Sequence, residues 1–386
     1  MSDQAIPAEA VTTRQELGEY LGQSMRAEYL ERVEGRVTRQ VSTSLKTYLV
    51  ELHLHGQSPE AALNATPFRD VSPTREPSLW LLHDAEGGAY FLDLLNERFP
   101  LVHTITYTNH SDRAIEQFVR DTRGADRCWL PSTFLLGQDL GRVIGFRFFH
   151  QRVTEGLADS EESQALAKDL GRPHAPAFRL KIAEYANAGE DLAALRQSGL
   201  FGFRSAIQSL AWRRTRPDTP GQFIHDEIWS QGKVSAYGTS WESHLANVLT
   251  VRDRYANVLD TLETNYALRT AEHLTGTPID IRLEGAPISD PAAFLDDLLR
   301  GRAPFRLWGI PTPISDGHVA ADAIDLHTGH RVSLDVTRDR IRLYLRTETC
   351  GNVFMRLVAN VEQYLSSEVA TTADDLLLGT NDAEVS

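Results

Sequence analysis

The chain has 386 residues, 41% of them hydrophobic, and a formal net charge of −14. Its length points to two or three domains, and its apolar fraction excludes a largely disordered chain. The uncharged apolar runs fall far short of the roughly 18 residues of a membrane span, and the acidic N-terminus lacks the apolar stretch of a signal peptide, so a cytoplasmic protein is expected.

Residues 1–12 carry no regular pattern, and Thr13-Arg-Gln-Glu16 is a capping box that opens a helix through about Glu34. Val37, Val41, Leu45, Tyr48, Leu49 and Leu52 continue at three- and four-residue spacing, which predicts a second helix or a continuation of the first, stopped at Gly56. Ser58-Pro59 reads as the start of a short helix, and the prolines between Thr66 and Ser78 as a linker. Leu79–His83 and Ala89–Leu94 flank a Gly87-Gly88 hairpin turn, followed by a strand over Leu101–Thr108 and a helix over Asp112–Arg123. Arg142–Val153 is strand-like, residues 157–176 form an acidic connector, and Phe178–Tyr185 alternates as a half-buried strand. Ala206–Arg216 and Phe223–Tyr237 are paired strands about a PDTPG turn, and a long helix runs from Trp241 to about Tyr266. A short helix over Asp290–Leu299, strands over 305–310, 319–326, 331–336 and 338–347, and a helix over Asn352–Leu365 complete the pattern; from Ala370 the tail reads as disordered apart from Leu376–Leu378.

Strands arriving in hairpin-like runs, each followed by one helix, predict an α+β fold with antiparallel sheets and helices on one face. The expected organisation is a helical N-terminal segment (1–75), a first unit (76–156), the connector (157–176), a second unit (177–275), a third (276–369) and a tail (370–386). Within the second unit, Glu227–Leu262 reads strand, Gln231-Gly232 turn, strand, Gly238, a capping Thr239 with Glu242 three later, and a long helix. This order resembles a repeat of the TATA-box-binding protein family. The resemblance implies a sheet-plus-helix repeat whose concave sheet face would lie on DNA.

Cys128 and Cys350 are far apart without CxxC partners, which excludes a disulfide framework and a cysteine-rich zinc site. Of 39 basic residues four are lysine (Lys46, Lys168, Lys181 and Lys233), leaving 35 arginines. An acidic, lysine-poor chain suits a halophilic prokaryote or a GC-rich genome, and the halophile is the reading taken here. Walker, GxGxxG, GxSxG and HExxH motifs are absent, so no catalytic residue and no cofactor is expected.

On a strand, Arg338, Arg340, Arg342, Tyr344 and Arg346 share one face, a surface suited to phosphate contact and base stacking; the plainer reading is a solvated face with its arginines paired to Asp335 or Asp325. Arg213, Arg214 and Arg216, with Lys233 on the neighbouring hairpin, form a second basic patch. Glu51, His53 and His55 suggest a metal site on a strand, but on the predicted helix they diverge. His327 and His330 read as exposed turn residues, and the pairs His83-Asp84 and His225-Asp226 lack the further ligands of a metal hydrolase. Asp280 and Glu284 fit a metal-dependent nuclease strand that lacks its usual lysine.

The function expected is therefore a non-enzymatic nucleic-acid-associated or regulatory protein. The alternatives are an adaptor or subunit of a protein complex and, third, an atypical metal-dependent nuclease. For a halophile's protein, thermal melts should shift upward between low and molar KCl; an unchanged melting temperature would remove that reading.

Overall fold

A computed structural model of the chain describes residues 7–34, 45–54, 56–58, 62–63, 68–151, 178–182, 190, 204–215, 219, 221–270, 273–284, 287–364 and 369–379. After a 3-10 turn at Ala8–Ala10, Thr13 caps α1 (Arg14–Val33). The expected capping box is formed: Thr13 Oγ1 accepts from the Glu16 N–H at 3.2 Å, and Glu16 accepts from the Thr13 N–H at 3.0 Å.

The second predicted helix is not found in its described part. Residues there form β1 (Lys46–Leu52), every one of them buried. A strand covered on both faces carries a nearly continuous apolar run, which mimics helical spacing. Val37, Val41 and the 157–176 connector lie outside the described residues. The expected linker instead holds β2 (Phe68–Pro73), an edge strand that tolerates its terminal proline.

β3 (Leu79–Asp84) and β4 (Ala89–Asp93) form the expected hairpin, where Asp84 Oδ1 accepts from the N–H groups of Glu86 and Gly88, both at 2.9 Å. Next come β5 (Leu101–Thr104), α2 (Thr108–Asp121), β6 (Ala125–Arg127), α3 (Ser132–Leu136), β7 (Arg142–Gln151), β8 (Phe178–Ile182), β9 (Arg204–Thr215), β10 (Phe223–Trp229) and β11 (Lys233–Gly238). α4 (Trp241–Thr261) ends in a π-helical turn, Leu262–Tyr266. Its cap is Ser240, whose Oγ accepts from the Ser243 N–H at 3.2 Å. Thr239, the expected cap, accepts instead from the Phe223 N–H at 3.1 Å.

β12 (Arg269–Thr270), β13 (Leu274–Thr275), β14 (Ile279–Leu283), α5 (Pro291–Leu298), β15 (Leu307–Gly309), β16 (Thr312–Ser315), β17 (His318–Asp325), β18 (Arg331–Val336), β19 (Arg340–Leu345) and α6 (Asn352–Tyr364) follow. The tail was expected to be disordered, but β20 (Val369–Thr371) and α7 (Asp374–Leu378) form there. Asp374 joins them, accepting from the Thr371 N–H at 2.9 Å and its hydroxyl at 2.8 Å.

The fold is α+β with antiparallel sheets, and the chain divides into two units. The first comprises Met1–Cys128, Leu140–Arg142 and Ala211–Ala256; the second comprises Trp129–Asp139, Val143–Leu210 and Asn257–Ser386. In the first, strands run β2-β3-β4-β5-β1-β11-β10, with β6 also on β1. α2 packs Ile115 and Phe118 with Tyr48, Val50 and Val102 on one side of this sheet. Leu17, Leu21 and Met25 of α1 join Leu45, Phe91, Ala236 and Trp241 in a separate cluster.

In the second unit, β7 pairs with β8, and a further sheet runs β15-β17-β18-β19-β14-β20 with β16 on β17. Asn352–Glu362 of α6 are all buried, as expected of a helix that is covered all round. Arg356 ties α6 to the end of β17: it donates to the buried Asp325 carboxylate and, at 2.8 Å, to the Phe305 carbonyl. Asp325 and Arg356 are 0% and 1% exposed. Removing one partner of such a pair strands a buried charge, so Arg356→Ala should lower the unfolding free energy by about 3–5 kcal/mol in urea titration.

Candidate functional site

The sheet of the second unit has two unlike faces. Ile279, Ile281, Val332, Leu334, Ile341, Leu343 and Leu345 are buried on one side, and strand alternation sends their neighbours to the other. Register sets those neighbours in rows. Asp335, Arg342 and Asp280 lie side by side, as do Asp322, Ser333 and Tyr344, and Arg340 lies beside Arg282. Ile324 pairs with both Trp308 and Arg331 at the β15 side.

The predicted arginine face is thus assembled from several strands. Arg342 forms a bidentate pair with Asp280, at 2.6 and 2.9 Å, while Arg340 lies 3.8 Å from the same carboxylate. Arg346 donates to Asp322 and to Ser333, both at 2.7 Å. His318 pairs with Asp335. Among the described residues of this face, Arg282, Arg331, Arg340, Arg342 and Arg346 outnumber Asp280, Asp322 and Asp335. Arg338 is exposed at the turn before β19. The Arg342 hydrogen bonds hold Asp280 below the usual carboxylate range and raise the Arg342 guanidinium in turn. Both Asp280 oxygens therefore accept from a guanidinium, and Glu284 is exposed beyond the strand end.

Beside this face lies a pocket of about 570 Å³, within the roughly 300–1,000 Å³ of ligand sites. Asp280 and Arg342 line one part, with Thr277 and Thr372; Asn265 and Tyr266, from the π-helical turn, line another. Such turns recur at functional sites because they re-aim side chains at a helix end.

The second expected basic patch is dispersed. Arg213 stacks over Phe223 with its guanidinium carbon 5.3 Å from the ring centroid, Arg214 donates to Asn247 at 3.0 Å, and Arg216 lies outside the described residues. Lys233 is buried and donates to Asp112 at 2.8 Å. Glu51 and His53 stand two apart, with His53 Nε2 3.2 Å from Glu51, which also accepts from Arg98 at 2.9 Å; His55 is outside the described residues. His327, expected to be exposed, is 0% exposed, because its turn packs inward beside Asp325.

Sequence reasoning set Asp226 aside, yet it anchors a buried polar chain. His103 Nδ1 lies 2.9 Å from Thr47 Oγ1, which lies 2.8 Å from His244 Nε2. His244 Nδ1 is 2.7 Å from Asp226, and Asn247 donates to the other Asp226 oxygen at 2.6 Å. The Thr-His-Asp order matches a nucleophile-base-orienter set. All its members are buried, so it binds α4 to the sheet and meets no solvent. A capping Ser240 with His244 one turn further on was the local sign that this helix face is polar and inward.

A second polar group lies on the opposite side of β1. Tyr48 Oη donates to Asp112 at 2.7 Å and lies 2.8 Å from Ser111 Oγ, while Lys46, on the same side of the strand, is 0% exposed.

Among the described residues, no helix is long and apolar enough to cross a membrane. The chain matches the MJECL33-like protein family over residues 6–376, and it belongs to that family. It is similar to an uncharacterised protein, MJECL33, of Methanocaldococcus jannaschii, with 24% identity over 94% of each chain. No solved structure matches. A whole-chain match to this family overturns the resemblance of Glu227–Leu262 to a TATA-box-binding protein repeat: strand, turn, strand and helix is a layout common to antiparallel α+β folds and does not discriminate among them.

Burial pushes the His103 imidazole down to about 3 and that of His225 to about 4. Both stay neutral in the fold while the unfolded chain takes up protons near pH 6.5, so the stability they confer is complete above that pH and is lost as pH falls toward 3. Unfolding free energy from urea titration should fall by several kcal/mol across that window, chiefly through the fully buried His103 because solvent screens the half-buried His225, and His103→Gln should make the decline shallower.

Proposed function

We propose that this member of the MJECL33-like family is a non-enzymatic, cytoplasmic nucleic-acid-binding protein whose contact surface is the open sheet face of the second unit. One observation carries the reading. In a chain of net charge −14, the solvent side of this sheet gathers more arginines than carboxylates, with Tyr344 and the 53% exposed Trp308 among them. Arginine forks match phosphate oxygens, and aromatic rings on a flat sheet give unpaired bases a platform, so a single strand suits the surface better than a duplex. Arg282, Arg331, Arg338 and Arg346 are exposed, while Arg340 and Arg342 are half-buried, Arg342 in a bidentate pair with Asp280 and Arg340 3.8 Å from the same carboxylate.

A protein partner is the second reading, and it rests on the sheet edge, where Trp308, Ile310 and Ile314 are 53%, 72% and 57% exposed. The two readings separate in a filter-binding titration against labelled single-stranded RNA and duplex DNA from low to molar KCl. Under the first, binding to the single strand saturates, and the Arg340→Ala/Arg346→Ala double variant loses about tenfold or more in affinity. The log-log salt slope should also fall by about 1.4, the loss of two phosphate contacts on a single strand. Unchanged affinity in the double variant, or no binding at any salt, leaves the protein-partner reading. Magnesium-dependent cleavage that disappears in Asp280→Ala would replace both with a nuclease.

A further inference from the structure

The pocket of about 570 Å³ beside the arginine face is lined wholly by residues of the second unit, and backbone hydrogen bonds tie its walls together. Asp280 of β14 and Arg342 of β19 are register partners on the solvent side of the sheet. Thr372 closes the β20 side: its hydroxyl accepts from the Asp280 N–H at 3.1 Å, and its own N–H donates to the Asp280 carbonyl at 3.1 Å. Asn265 and Tyr266 come from the π-helical turn after α4, where the Ala267 N–H reaches back to the Leu262 carbonyl at 3.2 Å. The Thr277 N–H donates to the Tyr266 carbonyl at 3.2 Å, which joins that turn to the segment leading into β14.

Hydroxyl, amide and charged groups make up most of this lining, so the ligand it suits is polar over most of its surface. The charges narrow the choice further. Asp280 is 9% exposed and stays ionised, since the Arg342 hydrogen bonds hold it below the usual carboxylate range. An ionised carboxylate only accepts, and each Asp280 oxygen that takes one Arg342 hydrogen bond keeps capacity for another. The guanidinium only donates, and Asp280 occupies part of its donor set. A neutral group that both donates and accepts therefore meets the pair best. An anion would lie against the Asp280 carboxylate, and a cation would meet Arg342, with Arg340 3.8 Å from that carboxylate as well.

Hydroxyls on adjacent carbons satisfy both partners, one donating to Asp280 and the other accepting from Arg342. A carboxylate takes the ribose hydroxyls of dinucleotides for the same reason. At the other wall the Tyr266 ring offers a face for stacking. The Asn265 amide beside it presents a donor and an acceptor together, the pattern that pairs with an adenine edge.

We infer that this pocket binds adenosine, with the ribose 2′,3′-diol on Asp280 and Arg342 and the base against Tyr266 and Asn265. Two sources present the same diol: the free nucleoside and the 3′-terminal residue of an RNA strand. The inference stands apart from the nucleic-acid reading above. A strand can lie on Arg331 and Arg346 without its end entering the pocket, and a free nucleoside can enter without a strand.

The test is isothermal titration calorimetry on the full-length protein. Adenosine and 2′,3′-dideoxyadenosine are each run to the solubility limit, beside two single-stranded RNAs of one sequence that end in one or the other. Losing the diol removes hydrogen bonds to charged groups, so the dideoxy member of a pair should bind about tenfold or more weakly. A difference in the nucleoside pair identifies the free compound as ligand, and a difference in the RNA pair alone identifies the strand end. The diol-bearing ligand should also bind about threefold or more weakly to Asn265→Ala, and about tenfold more weakly to Asp280→Asn. Asn265 is exposed, so that variant remains readable if Asp280→Asn does not fold. Equal binding within both pairs, binding by none of the four, or full affinity in Asn265→Ala and in any folded Asp280→Asn overturns the inference.

Discussion

A strand enclosed on both faces has no wet side on which to put a polar group, and β1 is such a strand. Each polar side chain it carries must find its partner inside the protein, because an unsatisfied buried donor or acceptor costs about 1–3 kcal/mol. Thr47 meets His103 and His244, Tyr48 meets Ser111 and Asp112, and Glu51 meets Arg98 and His53. Apart from His53, which follows β1 itself, these partners come from β5, α4 and α2 and from the loop ahead of β5, so satisfying one strand ties those elements to it. Apolar packing on either side of the sheet supplies the bulk of the stability, while the polar partners restrict how that packing is arranged.

The two units use basic side chains in different ways. In the second, arginines on the open sheet face are tempered by aspartates of nearby strands, while Arg356 is buried against Asp325. In the first, Lys46 and Lys233 are drawn under cover.

What could be read from the chain beforehand followed from local pattern. The capping box at Thr13, the Gly87-Gly88 hairpin, the long helix from Trp241 and the alternation of β17 to β19 each lie within a short window and were legible there. The arginine face was legible because period-two alternation needs no partner strand. β1 was not, since two-sided burial gives a strand the apolar density of a helix. The polar chain through Asp226 was not legible either: Thr47 and His244 are 197 residues apart, and nothing in either segment announces the other. The pocket needs Asn265 from a helix end and Thr372 from a tail that reads as unstructured, so its lining exists only after the second unit has closed.

Neither unit is a continuous stretch of chain. The first takes Met1–Cys128 and then waits for Ala211–Ala256, and β1 receives its neighbour β11 through pairs such as Lys46 with Ser235, 189 residues later. On a ribosome adding about 5–20 residues per second, the central strand leaves the tunnel roughly 10–40 s before that neighbour exists. For that interval its apolar edge and its lysine stand open to other chains. Newly made protein is therefore most exposed to misassociation in the middle of synthesis, and no fragment ending before Ala211 contains the strand that closes this sheet.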